Sequence, residues 1–257
     1  LGLGSAVVAS SNDVNSIYWN PAGLTNVDKF LEVSFMHSEY FAGIAKYDYV
    51  AFAMPVDDKS AVGISIIRFG VDDILNTTQL IDNEGNIDYN RISLFSAADY
   101  ALNLSYARKL NIEGLNLGSN TKIVRRIIGD FAKSWGFGLD AAVQYEKNDW
   151  KYGLMLRDIT TTFNSWSIDE NEFEKIQNSI PDKNQELPET NEITLPKAQL
   201  GIARKFNISK QFNLLSELDL NMRFTKTNDI ISTDFVSIDP ALGFQLDYTD
   251  IVFLRAG

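Results

Sequence analysis

Residues 10–24 read S-S-N-D-V-N-S-I-Y-W-N-P-A-G-L, and this stretch decides how the rest of the chain is interpreted. Asn20-Pro21 is a turn signal, because a proline disfavours helical backbone in the residue before it. Asn12 and Asp13 are helix-capping residues, so a single helical turn is predicted to end near Trp19. The stretch precedes every strand-like run. It therefore predicts a compact plug at the mouth of a barrel.

The chain after residue 30 is organised into about eleven runs with a period of two residues. In the clearest run, Trp135, Phe137 and Leu139 lie on one face, while Gly136 and Gly138 lie on the other. Most runs have about ten residues or slightly more, which is the length that a tilted strand needs to cross a bilayer. The predicted strands are residues 31–41, 46–54, 61–69, 99–109, 115–128, 134–145, 150–156, 195–206, 212–224, 235–248 and 251–256.

The connections between these runs alternate in length. Short turns are predicted at residues 55–60, 111–114, 146–149, 207–210 and 249–250. Long connections are predicted at residues 71–92, 159–193 and 225–234, with 129–133 as the exception. Short turns at one end and long loops at the other are typical of outer-membrane barrels. Alternation alone leaves a soluble β-sandwich or β-solenoid open, because a polar face suits either solvent or a wet lumen.

Composition excludes several classes of function. The formal net charge is -11, whereas nucleic-acid binding needs clustered Lys and Arg, so we expect no nucleic acid partner. The chain has no cysteine and His37 is its one histidine, so we expect no metal site, no cofactor and no catalytic residues. No run approaches the length of a transmembrane helix.

The pattern D-x-x-S-x-Y-W-N-P-A-G-L resembles the N-terminal hatch of the long-chain fatty acid transporter (FadL-like) superfamily of outer-membrane barrels. Its hatch residues are Tyr18, Trp19, Asn20, Pro21, Ala22, Gly23 and Leu24, preceded by Asp13 and Ser16. This form is most similar to the PorV/PorQ family, which belongs to the type IX secretion system of Bacteroidota. The closing Phe253, Leu254, Arg255, Ala256 and Gly257 are similar to a late barrel segment of that family.

The resemblance implies an all-β fold, a transmembrane antiparallel β-barrel with an N-terminal hatch. Such a barrel has about 14 strands when complete, and about 11 are expected in this chain. Residues 1–29 are expected to form the hatch inside the barrel. Residues 30–257 are expected to form a C-terminally incomplete barrel with a long insertion at 159–193. Within the insertion, a capping box at Ser167–Glu170 predicts a short amphipathic helix that carries Phe173, Ile176 and Ile180 and ends before Pro181.

The resemblance also implies a function. Relatives in this family are non-enzymatic proteins of the cell outer membrane that bind the giant translocon barrel, other type IX secretion proteins and the C-terminal sorting domains of secreted cargo. Outer-membrane lipid would surround the barrel. PorV-like members pass cargo to a surface attachment complex, and PorQ-like members anchor a component of it. The alternative is a FadL-like transporter of hydrophobic solutes, and a soluble β-protein is a third interpretation.

Two groups of candidate site residues follow. The hatch motif, Tyr18 to Leu24, is predicted to fix the plug by packing, with a moving gate as the alternative. A polar network in the lumen is predicted for Lys122, Arg125, Asp140, Arg157, Glu217, Asp219 and Arg223, because ionisable groups within a membrane need a wet or paired interior. This network either holds the hatch or forms a polar path. The connections at 71–92, 167–180 and 225–234 are candidates for partner contact or for covering the barrel mouth.

Overall fold

The computed structural model describes residues 2–81, 84–179, 189–249 and 251–257. Its helices are α1 (Ser16–Trp19) and α2 (Glu170–Ser179), with 3₁₀ turns at Pro21–Asn26 and Tyr89–Arg91. Its strands are β1 (Glu32–Tyr40), β2 (Ala45–Pro55), β3 (Ser60–Asn76), β4 (Ser93–Lys109), β5 (Leu115–Ile128), β6 (Ala132–Lys147), β7 (Trp150–Arg157), β8 (Thr162–Ile168), β9 (Asn191–Thr194), β10 (Lys197–Asn207), β11 (Phe212–Arg223), β12 (Ile231–Ser232), β13 (Ser237–Tyr248) and β14 (Val252–Ala256).

All of these strands belong to one antiparallel sheet, in which the neighbours run from β1 through β7 to β10, β11 and β13. Because consecutive strands run in opposite directions, the tight turns that join β2 to β3, β4 to β5 and β6 to β7 lie at the same end. Both β12 and β14 pair with β13. In the described part of the chain no pairing joins β1 to β13 or β14, so the sheet is not closed. The prediction of an antiparallel all-β fold is confirmed.

The wall is interrupted where β7 gives way to β8. The second half of β6 pairs with β7, and its first half pairs with β8. Between them, Asp158 and Thr161 have positive φ angles of 54° and 60°, so the backbone leaves the extended conformation. The N–H of Ile159 still donates to the carbonyl oxygen of Leu139 at 2.9 Å. The interruption is therefore a local kink, and β6 is still hydrogen-bonded to the chain that passes through it.

Strand prediction locates the long runs and fails in the connections. Two long runs are longer than predicted, since β3 continues to Asn76 instead of ending at residue 69 and β4 begins at Ser93 instead of residue 99. The strand β5 has the predicted bounds, while β8, β9 and β12 lie in segments that were predicted to be loops. These three short strands raise the count from about eleven to fourteen. The predicted capping box is wrong, because Ser167 lies in β8 and the carboxylate of Asp169 accepts hydrogen bonds from the N–H groups of Asn171 and Glu172. The predicted helix end at Ile180 and Pro181 lies outside the described residues.

The two faces of the sheet differ in what covers them. The inner face packs against the N-terminal segment, and fully buried Ile17, Leu24 and Ala51 form part of one core cluster there. Large apolar side chains of the outer face are exposed, among them Phe35 at 71% and Phe137 at 52%. An apolar outer surface of this extent is a mark of contact with lipid or protein. No helix in the described part of the chain is both long and apolar enough to cross a membrane.

Candidate functional site

The candidate site is the contact between the hatch, defined as residues 2–29, and the inner face of the sheet. Asn20 organises the hatch turn: its side-chain oxygen accepts from the N–H of Ala22 at 3.1 Å. Its side-chain amide donates to the carbonyl oxygen of Val8 at 2.8 Å and to that of Val143 in β6 at 3.2 Å. Pro21 occupies the first position of the 3₁₀ turn, where its missing N–H costs nothing. The motif thus ties the hatch to itself and to the wall.

The aromatic residues of the motif have a different position. Tyr18 and Trp19 meet edge to face, with ring centroids 4.9 Å apart. Both are half-buried, whereas Asn20, Pro21, Ala22, Gly23 and Leu24 are buried. The guanidinium of Arg157 lies 5.0 Å from the centre of the Tyr18 ring, and its Nη2 donates to the Tyr18 carbonyl oxygen at 2.7 Å. One arginine of β7 therefore holds both the ring and the backbone of Tyr18.

A row of glycines makes room for the hatch, and we call it the glycine track. It consists of Gly63, Gly118, Gly153, Gly201 and Gly243, each on the inner face of a different strand. A Cβ atom on Gly118 would overlap the backbone nitrogen of Ala22, and one on Gly153 would overlap the carbonyl oxygen of Val8. A Cβ on Gly243 would lie 2.7 Å from the carbonyl oxygen of Leu3. At the last four positions the wall can approach the hatch backbone this closely only because the residues have no side chain, while Gly63 makes room for the side chain of Ile17.

Two carboxylates of β11 bind the start of the hatch. Asp219 Oδ2 accepts from the N–H groups of Val7 at 2.8 Å and Val8 at 3.0 Å. Glu217 Oε1 accepts from the N–H of Ala9 at 2.6 Å. Both side chains are buried, with exposed fractions of 0% and 1%. Consecutive backbone N–H groups make a concave donor site for an anion, so the carboxylates fix three residues in one bend.

A second polar cluster lies across the sheet. Lys122 Nζ lies 2.7 Å from Asp158 and 3.3 Å from Asp140, so one lysine pairs with two carboxylates. Asn120 joins this cluster to the hatch: its side-chain amide donates to the carbonyl oxygen of Ile17 at 2.9 Å and to Asp140 at 3.3 Å. Gln144, farther along β6, donates to the carbonyl oxygens of Val8 and Ser11. The wall therefore satisfies hatch carbonyls as well as hatch N–H groups.

The seven residues predicted to form one lumen network take up separate positions. Lys122 and Asp140 contact each other, Glu217 and Asp219 bind the hatch, and Arg157 holds Tyr18. Arg223 pairs with Asp229 at 2.6 Å, in the connection after β11. Arg125 lies on the outer face, because alternate residues of a strand point to opposite sides and Lys122 points inward. The prediction that Arg125 faces the lumen is therefore wrong.

Sequence reasoning missed Asn120 and Gln144, which donate to the hatch, and Asp158, which pairs with Lys122. Asn120 and Gln144 share the inner face with Asp140 by the period of two, and that signal was available. Asp158 lies in the kink between β7 and β8, where no periodic pattern marks it. In the described residues no three Asp, Glu or His side chains are grouped as a metal site would require.

Two cavities adjoin these elements. A cavity of about 920 Å³ lies between the hatch and the edge strands at both ends of the sheet, and its lining includes Tyr18, Trp19, Met36, Tyr49, Gln245 and Phe253. A smaller apolar cleft of about 280 Å³ lies where the β5–β6 connection, β8 and α2 meet. The cleft is lined by Ile128, Phe131, Ala132, Trp166, Ile168, Phe173 and Glu189.

Comparisons with known proteins agree with the geometry. The family model described as "Type IX secretion system protein PorV" matches residues 1–171, which include the hatch and the strands from β1 to β8. Among solved structures, the crystal structure of a Pseudomonas aeruginosa FadL homologue is similar with a TM-score of 0.50 and 12% sequence identity. That similarity covers 96% of this chain and 75% of the other chain, and at this identity it shows the fold alone. No curated protein matches the chain.

Proposed function

The chain belongs to the PorV family of type IX secretion system proteins, and from this premise we propose that it is a non-enzymatic component of the outer membrane that binds protein partners at the cell surface. The match over residues 1–171 is the observation that carries the proposal. Under this proposal residues 30–257 form the barrel wall and the hatch lies inside it. The partners are the giant translocon barrel and the C-terminal sorting domains of secreted cargo.

The hatch contacts favour a role in binding protein partners over a role as an open channel. Asp219 and Glu217 accept hydrogen bonds from hatch N–H groups, and Asn120 and Arg157 donate to hatch carbonyl oxygens. The glycine track lets the wall pack directly on the hatch. A plug held by this many buried contacts is costly to displace, since each lost buried hydrogen bond leaves an unsatisfied group. We therefore place partner binding on the connections at the end of the sheet opposite the tight turns.

The apolar cleft at that end is the proposed contact for a partner side chain. Phe131, Trp166 and Phe173 line it. Its neighbour Arg126 is already paired with Asp99 and Glu192. Aromatic side chains in a cleft are the usual anchors of a protein interface. Under this proposal the β5–β6 connection and α2 take part in partner binding.

Affinity purification from native membranes in detergent tests the proposal. We expect a giant barrel or cargo with a sorting domain to co-purify, and loss of the chain to leave cargo unsecreted. A photo-crosslinking residue at Ile128, which is 40% exposed in the cleft, is expected to capture such a partner. The matched control is Ile208, 61% exposed in a tight turn at the opposite end. Normal secretion without the chain would contradict the proposal.

The cavity beside the hatch favours a second candidate, a transporter of hydrophobic solutes. Its volume of about 920 Å³ is that of a ligand site, and its lining of aromatic and charged side chains, among them Trp19, Phe253 and Lys205, suits an amphipathic ligand such as a fatty acid. The fold similarity to a FadL homologue is consistent with this role. Mass spectrometry of the purified chain separates the two candidates. A co-purified lipid or fatty acid, with no protein partner and unaffected secretion, would favour the transporter.

A further inference from the structure

The outer face of the sheet carries two arginine–tryptophan pairs of the same construction. Arg125 of β5 lies directly opposite Trp135 of β6, with its guanidinium 4.7 Å from the ring centre. Arg204 of β10 lies directly opposite Trp150 of β7, at 4.9 Å. Stacking on an indole orients a guanidinium and leaves its in-plane N–H groups free for an anion.

These two arginines lack the partners that other arginines of the sheet have. Arg68 contacts Asp48 and Asp72, and Arg126 contacts Asp99 and Glu192. Arg125 has one long hydrogen bond, of 3.4 Å, to the carbonyl oxygen of Ser134. Within the described ranges no carboxylate pairs with Arg125 or Arg204. Both pairs therefore present unused donors to whatever adjoins the outer face.

The surface around Arg125 changes from polar to apolar within one row of the sheet. Its row continues through cross-strand partners that are all polar or amphipathic: Trp135, Tyr100, Arg68, Asp48 and His37. The adjacent row toward the tight turns is apolar in every strand: Phe137, Ile123, Leu102, Ile66, Val50 and Phe35. Arg125 therefore lies at the edge of the apolar surface.

The distance between the two pairs matches a bilayer. Trp150 lies opposite Lys147, which is twelve residues along β6 from Trp135. At about 3.4 Å per residue and a strand tilt of about 40°, the two levels are about 30 Å apart along the barrel axis. An outer-membrane barrel has an apolar band of about 25 Å with an aromatic girdle on each side. The outward residues of β6 between these levels are Phe137, Leu139, Ala141, Val143 and Tyr145, and none of them is an acidic or basic residue.

We propose that Arg125 and Arg204 are binding sites for the phosphate groups of lipids, one at each surface of the membrane. Arg125 faces the leaflet on the side of the long connections, where its ligand is a phosphate of lipid A or of a phospholipid. Arg204, stacked also on Phe206 at 4.8 Å, faces the leaflet on the side of the tight turns. Planar guanidinium groups bind phosphate through paired N–H donors, so each pair fixes the depth of the barrel. This inference rests on the membrane location in the proposed function, and it is independent of the secretion role.

Native mass spectrometry of the full chain tests the two sites. The chain is reconstituted in nanodiscs of phosphatidylethanolamine and phosphatidylglycerol, with or without lipid A, and then transferred to detergent. We expect Arg125→Gln and Arg204→Gln each to weaken retention of a phosphate-bearing lipid about tenfold, because each removes a charge-assisted contact. If Arg125→Gln loses lipid A but keeps phospholipid, the phosphate bound at Arg125 belongs to lipid A. If it loses phospholipid from nanodiscs with and without lipid A, the phosphate belongs to a phospholipid. Lys226→Gln, which removes an exposed loop charge paired with Asp234, is the control and is expected to retain lipid normally.

A label at Val143 separates this inference from the proposed membrane location. The chain has no native cysteine, so a nitroxide on Val143→Cys reports one position of the outer face. We expect it to be accessible to oxygen and protected from a water-soluble relaxation agent. A label in hydrocarbon combined with equal lipid retention by wild type and both arginine variants would overturn the phosphate sites alone. A label in water would overturn both the sites and the membrane location.

Discussion

The side-chain amide of Asn120 donates a hydrogen bond of 2.9 Å to the backbone carbonyl oxygen of Ile17, 103 residues away in the sequence. The bond joins the middle of β5 to helix α1, and Asn120 is itself 2% exposed. It shows in one contact how this molecule is built. A polar side chain of the wall satisfies a backbone group of the hatch, so the two parts are parts of one core.

The glycine track predicts that Gly118→Val prevents the hatch from seating. Any Cβ at this position overlaps the backbone nitrogen of Ala22, and backbone has little freedom to move away. Overpacking of a buried site costs about 1–3 kcal/mol or more. Unfolding in urea after reconstitution into vesicles measures the loss. Ser119→Val is the control, because Ser119 is exposed on the outer face of the same strand. Equal stability of the two variants would contradict this account of the track.

Asp219→Ala is expected to release the start of the hatch. The substitution leaves the N–H groups of Val7 and Val8 without their acceptor, at a cost of about 1–3 kcal/mol for each buried donor. Hydrogen exchange of those two amides is the measurement, and we expect it to become faster while the amides of β5 stay protected. Ser216→Ala, on the opposite face of β11, should leave both amides as slow as in the wild type. Unchanged exchange at Val7 in Asp219→Ala would rule the contact out as an anchor.

Lys122→Met is expected to destabilise the wall at the kink. It leaves Asp140 and Asp158, which are 2% and 6% exposed, without their cation. Breaking a buried ion pair from one side costs about 3–5 kcal/mol. The second substitution Asp158→Asn in the same chain removes one of the orphaned charges and should recover part of the loss, which a double-mutant cycle measures. Lys133→Met, at an exposed position of β6, is the control. Strict additivity of the two substitutions would show that the residues do not interact.

Arg157→Lys is expected to loosen Tyr18 although the charge is kept. Arg157 donates to the Tyr18 carbonyl oxygen at 2.7 Å and to Gln199 Oε1 at 2.8 Å, and it stacks on the Tyr18 ring. An ammonium cannot make both bonds and the stack, so we expect a loss of about 1–2 kcal/mol. Chemical denaturation of the reconstituted protein gives the value. Arg108→Lys replaces an exposed arginine and should be neutral, whereas equal effects of both would exclude a specific role for the guanidinium fork.

Sequence patterns predict the wall well because the alternation of inner and outer residues can be recognised within each strand separately. The run at 134–145 separates into an inner face with Gly136, Gly138 and Asp140 and an outer face with Trp135 and Phe137. The same rule places Arg125 outside, since it is an odd number of residues from Lys122. Counting residues along this alternation would have placed these two cations on opposite faces of β5.

Sequence patterns do not show which residue each inward-facing side chain contacts. Nothing local distinguishes Gly118, which lies against the hatch, from Gly136, which lies against the side chain of Asn164. Asp158 is read as a loop residue because it follows the last alternating residue of β7, yet the kink turns it into the cluster with Lys122. Both facts depend on contacts between segments that are far apart in the chain.

The binding of Val7 by Asp219 joins residues 212 positions apart, and this separation has a consequence for folding order. The hatch is made before the strands of the wall, and its acceptor Asp219 on β11 follows Val7 by 212 residues. Contacts of such long range are slow to form, because the entropy of closing the loop is lost before any bond is gained. The start of the hatch therefore reaches its folded position only after β11 has joined the wall.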